Sequence, residues 1–256
     1  MTAPQITSSA NPRVKAWVAL GKRSVRDSTG MFIVEGLRET RRLASFVDTV
    51  ETIWCADYSD GIEPLGATTV SKHVFDRISR RQHPDGVAVV AAAPDLGISQ
   101  FEPGPVPIVL VADGIEKPGN IGAMIRTCDA LGAAFLGSGL KTDLVNPNVI
   151  RAAQGSLFAT PLASASRNEA IKWCTANTSV FTAMPKARVS MWKGDYAGPV
   201  SIVVGAEDEG IAAEWNDAGA GVFIPMSGKA DSMNASVSAA ILIAEVVRQR
   251  SVSTAR

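Results

Sequence analysis

From residue 107 onward the chain alternates apolar, β-branched runs with amphipathic ones, and a Gly or Pro marks most of the changes. PIVLVAD (107–113), AAFLG (133–137), SVFTAM (179–184), SIVVGA (201–206) and GVFIPM (221–226) predict strands. Alternation of this kind predicts an α/β fold with a mostly parallel sheet and helices on both faces. The final run, ASVSAAILIAEVVRQR, sets Val237, Ala240, Ile241, Ala244 and Val247 at helical spacing. It predicts a terminal helix followed by a frayed tail, SVSTAR. In the first hundred residues the strand-like stretches MFIVEG (31–36), TIWCAD (52–57) and GVAVVAA (86–92) alternate with helix-like NPRVKAWVALGKR and GLRETRRLASFV. These predict a smaller α/β unit. Between the two patterns lies a Pro- and Gly-rich segment without a period, APDLGISQFEPGPVP. The expected organisation is a domain over 1–95, a linker over 96–105 and a second domain over 106–256.

Charge adds a partner to this picture. The 256 residues carry 25 Lys+Arg against 25 Asp+Glu, so no net charge draws the whole chain to a polyanion, and any such partner needs a local patch. Residues 13–42 supply one, with eight Lys/Arg against Asp27, Glu35 and Glu39; Lys72, Arg77, Arg80 and Arg81 follow later, with His73 and His83. Cys55, Cys128 and Cys174 form no CxxC pair, and their odd number argues for a reducing cytoplasm rather than a disulfide framework. No run of about 18 apolar residues occurs, so neither secretion nor a membrane is expected.

Chemistry concentrates where strands give way to helices. Ahead of and within EKPGNIGAMIRTCDALGA (116–133), the segment GIEKPGNIGAMIRT places Gly114, Gly119 and Gly122 about a turn, but not at the GxGxxG spacing of a dinucleotide site, and no P-loop is present. Asn120 there, taken alone, is explained by helix capping. Arg126 lies among Ile121, Ala123, Met124 and Ile125, where a guanidinium needs an anion, a carbonyl or a route to water; a structural salt bridge and a ligand contact remain open. GAEDEG (205–210) puts three carboxylates at a strand end. Asp208 and Glu209 suit a solvated turn, while Glu207 lies nearest the sheet, within reach of a pairing with Arg126. In IPMSGKADSMNASVSAAI (224–241), Asp231, Ser232, Asn234 and Ser236 exceed what one helix cap requires. Without GxSxG or a nearby histidine, Ser232 does not indicate a hydrolase.

These three segments together resemble the motifs of the SpoU, or TrmH, family of RNA 2′-O-ribose methyltransferases of the SPOUT superfamily. The resemblance covers about 106–250. More loosely, NPRVKAW and GMFIVEGLRET resemble the L30e-like substrate-binding domain of its ribosomal-RNA members. It implies a homodimer, a C-terminal trefoil knot and S-adenosylmethionine held by the loops around Gly205, Ala206, Ile224, Met226 and Met233. Met233 and Ala235 depart from the Leu and Val of many relatives, both conservatively.

The resemblance also assigns chemistry to side chains. Arg126 and Asn120 come from the first motif, Glu207 from the second, Ser232 and Asn234 from the third. Arginine stays protonated to about pH 12. Arg126 is therefore expected to orient a ribose 2′-hydroxyl and an adjacent phosphate, acting as base only in an unusual environment. Asn120, Ser232 and Asn234 would fix the hydroxyl and shape the loop, with Glu207 orienting Arg126. Structured RNA, ribosomal rather than transfer, is the expected partner, held by basic residues including Arg13, Arg26, Arg80 and Arg81.

Overall fold

The computed structural model of the chain describes residues 5–59, 61 and 63–254. Packing divides it into two units. One runs up to Pro94 and also takes Val145–Ala159; the other holds Asp95–Leu144 and the chain from Thr160 onward.

The first unit is built from α1 (Pro12–Ala19), α2 (Arg23–Thr29), β1 (Met31–Glu35), α3 (Leu37–Leu43), β2 (Thr49–Trp54), β3 (Thr68–Thr69), α4 (Lys72–Ile78) and β4 (Val87–Ala92). Asn11 starts α1 by accepting from Arg13 N, and Pro12 presets the first helical φ. Four strands lie in the order β1-β4-β2-β3, with β4 antiparallel to both neighbours and β3 parallel to β2. Val14 and Trp17 of α1 and Phe75 and Ile78 of α4 close over Ile33, Ile53 and Val90 of the sheet. That apolar contact fixes α1 beside α4.

The second unit opens with β5 (Ile108–Asp113), α5 (Pro118–Leu131) and β6 (Ala134–Ser138). The chain then leaves the sheet for α6 (Pro147–Ala153), which packs on β1 within the first unit. Phe158, just after it, meets Phe32 and Phe46, with ring centroids 6.4 and 5.6 Å apart. Residues 145–159 thus lie outside the single division expected near 96–105, because their apolar side chains are buried against the earlier residues. The sheet resumes as β7 (Leu162–Ala165), α7 (Arg167–Asn177), β8 (Ser179–Ala183), β9 (Val189–Ser190), β10 (Val200–Gly205), β11 (Ala220–Phe223) and α8 (Ala235–Thr254). Its order is β7-β6-β5-β10-β8-β11-β9, and every pairing is parallel.

Central β5 and β10 are buried along their whole length, which is why their sequences are continuous apolar runs. Val109, Val111 and Val203 face Trp215 and the α7 side, while α5 and α8 pack together against the opposite side. Unanticipated β3, β7 and β9 are two to four residues long, too short for a period to register. The apolar residues that α8 buries are Ala235, Ala239, Leu242, Ile243 and Val246, with Glu245 buried beside them. The stripe singled out from the sequence stays half-buried or exposed, with Val237 at 47 %. α8 is therefore apolar on two faces. It also continues through Thr254, so the expected fraying does not hold for 251–254; residues 255–256 lie outside the described part.

Candidate functional site

At the carboxyl ends of β8, β10 and β11 lies a cleft with about 670 Å³ of unoccupied space, part of it open to solvent. This is where parallel sheets build ligand sites, because the strands end together and the following loops diverge. Gly205, Ala206, Ile224, Met226 and Met233 all line it, and so do Ser232 and Glu207. Val204, Val222 and Ala183 add further apolar wall. An adenine ring and a thioether-like chain suit such a surface; the backbone at the strand ends supplies polar groups.

Gly205 is where the cleft wall is tightest. A Cβ built on it would fall 2.1 Å from the carbonyl carbon and oxygen of Gly210 and 2.4 Å from Ile211 N. The loop can therefore fold back on the strand end only over a glycine. It is closed by Gly210 N donating to Ala206 O at 2.9 Å, and Gly210 takes a left-handed φ of 71°. Beyond it, Ala212 N donates to Asp113 at 3.0 Å. Asp113, 1 % exposed, also accepts from Ser138 Oγ at 2.8 Å and Arg167 Nε at 2.9 Å.

Glu207 joins three segments that are distant in sequence. Its carboxylate accepts from Asn120 Nδ2 at 3.1 Å and Asn234 Nδ2 at 2.5 Å, and it forms an ion pair with Lys117. Asn234 Nδ2 also donates to Asn120 Oδ1 at 3.1 Å. Lys117, then Asn120, hold the Glu207 carboxyl below its usual range, and Glu207 in turn raises Lys117. Glu207 lines both the cleft and a neighbouring hollow that contains Asn120 and Lys117.

These contacts correct two expectations. Asn120 does not cap α5: the helix begins earlier, with Lys117 at the cap position and Pro118 in the first turn, so the Asn120 amide is turned to the cluster. Glu207 does not pair with Arg126, because Lys117 at the helix start is nearer to the loop end. Arg126 is exposed on α5, six residues and about 9 Å of helix rise beyond Asn120. No salt bridge or hydrogen bond engages it among the described residues, which removes a structural salt bridge as its explanation. Asn234, by contrast, does cap α8, its Oδ1 accepting from Ser236 N at 2.9 Å, while its amide nitrogen serves the cluster.

The sequence profile of the SpoU rRNA Methylase family matches residues 107–244, more than half of the chain and all of the segments just described. The chain belongs to the SpoU rRNA methylase family. A second profile, the MRM3-like substrate binding domain, matches residues 11–89. Among curated relatives, 23S rRNA (guanosine(2553)-2'-O)-methyltransferase RlmP of Bacillus subtilis (strain 168) is 28 % identical, over 93 % of this chain and 97 % of that protein. A crystal structure of an RNA 2'-O ribose methyltransferase superposes with a TM-score of 0.83 at 38 % identity, covering 96 % of this chain and 99 % of that one. An AdoMet-bound rRNA methyltransferase from Sinorhizobium meliloti superposes with a TM-score of 0.85 at 28 % identity, over 96 % and 98 %.

In the first unit of this SpoU chain the basic residues separate by environment. Arg26 is 2 % exposed and donates to Leu20 O at 2.8 Å, so it is a structural residue rather than a phosphate contact. Arg13 is paired with Glu51 and bonded to Thr68. Arg81 donates to Glu35 O at 2.8 Å and lies 2.8 Å from buried Glu39. Arg80 is exposed. Sequence reasoning passed over Lys117, Asp113 and Arg167. An acid closing a strand and a lysine before a helix are too ordinary to stand out until the fold pairs them.

Proposed function

We propose that this SpoU family member transfers a methyl group from S-adenosylmethionine to a ribose 2′-hydroxyl of structured RNA, with 23S ribosomal RNA as substrate. The observation that carries the reading is one cleft at the parallel-strand ends whose wall is Gly205, Ala206, Ile224, Met226 and Met233 and whose rim is the Asn120–Glu207–Asn234 cluster. Relatives along nearly the whole chain named as 23S rRNA 2'-O-methyltransferases support the substrate class.

S-adenosylmethionine supplies an activated methyl on a sulfonium, so the protein's task is to place the hydroxyl and remove its proton. In this reading the apolar wall takes the adenine and the backbone of the 205–206 and 224–226 segments holds the cofactor's polar edges. Ser232 and Asn234 fix the loop and the hydroxyl. Glu207, kept ionised by Lys117, holds both asparagine amides in place rather than orienting Arg126. Arg126 orients the ribose and its phosphate.

A homodimer belongs to the same proposal. The second apolar face of α8, with Val237 47 % exposed, and Trp192 and Met226 at 55 % and 39 % offer a surface that a second copy would cover. Arg126 lies outside the lining of its own cleft, and the partner copy is what would bring one to it. The C-terminal knot and a cytoplasmic setting complete the reading; three buried, unpaired cysteines suit a reducing compartment. Among the described residues no helix is long and apolar enough to cross a membrane.

Arg126→Ala is the direct test, since the side chain is exposed and its loss leaves the fold intact. Methyl transfer from labelled S-adenosylmethionine to unmodified 23S rRNA should fall by about 10²- to 10⁴-fold, with the cofactor Kd nearly unchanged. Undiminished turnover would remove Arg126 from the mechanism, and no transfer by the unsubstituted chain would remove the activity itself.

A further inference from the structure

The first unit sorts its basic side chains into two groups, and only one is available to a partner. Arg13, Arg38 and Arg81 are held by carboxylates, and Arg26 is buried. Lys15, Lys22, Arg77 and Arg80, and also Arg41 on α3, are exposed, and their charged ends have no ion pair or hydrogen bond among the described residues.

Three of these share one feature, and Arg80 lies beside it in a hollow that Glu35 also lines. Lys15, Lys22 and Arg77, with Ser9, line a groove between α1 and α4 that Val14, Val18 and Ala19 also form, and no carboxylate lines it. Lys15 on α1 and Lys22, the extended residue just before α2, are brought to the same groove by the turn between the two helices. Arg80, just past α4, extends the line by lying against Gly21. A Cβ on Gly21 would fall 1.8 Å from Arg80 Nη2, which shows how closely the guanidinium lies over this glycine, next to Lys22 in the chain.

Gathering like charges without counter-charges disfavours the folded state unless something external neutralises them. Elsewhere in this unit the fold neutralises Arg13 and Arg81, through Glu51, Glu39 and Asp85. A continuous cationic line beside apolar side chains matches a chain of phosphates joined by sugars, which Lys and Arg bind without reading sequence. We propose that the groove between α1 and α4, bearing Lys15, Lys22, Arg77 and Arg80, is the track on which the sugar–phosphate backbone of the RNA substrate lies. The proposal rests on the RNA-directed function above and assigns its substrate-holding surface.

The test uses the full chain and an unmodified 23S rRNA transcript, with affinity measured across a salt series. Each phosphate contact contributes about 0.7–0.9 to the slope of log K against log salt. Joint Lys15→Gln, Lys22→Gln, Arg77→Gln and Arg80→Gln should lower that slope by about 3 and weaken binding about 10³-fold at 0.1 M salt. Arg80→Gln alone should lower the slope by just under one, which keeps the proposal testable should the fourfold variant fold poorly. A comparator, Arg13→Gln with Arg23→Gln and Arg38→Gln, removes cations that face carboxylates and should leave the slope within one of the starting value. S-adenosylmethionine affinity should be the same in all variants. An unchanged slope in the groove variants, or an equal loss in the comparator, overturns the track. RNA binding that follows these expectations in a chain that transfers no methyl would instead overturn the enzymatic reading and leave the track standing.

Discussion

Replacing Gly205 with Ala tests whether the loop after β10 owes its position to the absence of a side chain. The added methyl would meet only backbone, at 2.1 Å from Gly210 C and O and 2.4 Å from Ile211 N, so no flexible side chain can move aside. Overpacking of this kind costs about 1–3 kcal/mol. Shifting the loop also forfeits the Gly210 N to Ala206 O hydrogen bond, which adds roughly 1 kcal/mol. A total of about 2–4 kcal/mol must then be borne by the folded chain or by ligand binding. If the folded chain bears it, Tm should fall by roughly 5–15 °C. If the loop relaxes outward and is pushed back only on binding, the S-adenosylmethionine Kd should rise roughly 30- to 700-fold. Calorimetric unfolding and titration calorimetry on one preparation separate the two. Gly198→Ala is the control, because a Cβ there meets nothing within 4 Å; it should stay within about 0.5 kcal/mol. A Gly205→Ala protein with wild-type Tm and wild-type Kd would show that the close approach is not required.

Two other expectations follow from the cluster and its support. Glu207 has a depressed folded pKa, so its contribution to stability is complete above the ordinary Glu value of about 4.3 and is lost as pH falls through the lower folded value. Tm measured against pH should show an acid decline below about pH 4.3 that is reduced in Glu207→Gln; identical profiles would exclude the carboxylate. Asp113→Ala strands Ala212 N–H and deprives Arg167 of one carboxylate partner, though the 31 % exposure of Arg167 allows water to replace part of the loss. A cost of about 2–4 kcal/mol is expected, with weaker cofactor binding because the 206–211 loop loses its far anchor. An unaltered Tm in Asp113→Ala would mean that the buried contacts are not holding that loop.

Much of the fold can be read locally. The limits of β5, β8 and β10 agree with the apolar runs within a residue or so; β5 and β10 are buried on both faces, which demands near-continuous apolar sequence, while β8 alternates buried with more exposed positions. β7 and β9 escape such reading: they lie at the sheet edges and carry too few residues for a pattern. α8 was legible as a helix, but its buried face was not. With apolar residues on two sides, the sequence offers two stripes, and only contact with α5, β5 and β10 selects Ala239, Leu242, Ile243 and Val246.

At the candidate site, the residue types that stand at the strand-to-helix junctions are legible along the chain, and all five residues assigned to the cofactor line one cleft. Turn chemistry is local, so glycine and short polar residues mark these junctions wherever the loops travel. Only the tertiary structure decided the partners. Glu207 meets Lys117 and Asn120, 90 and 87 positions away, and not Arg126. Arg26 is buried, whereas Lys15 and Arg77 flank an open groove. Charge interactions depend on distance and burial in space. Neither quantity is encoded in a residue's neighbours along the chain; both are set when the sheet places β5 beside β10, and β8 between β10 and β11.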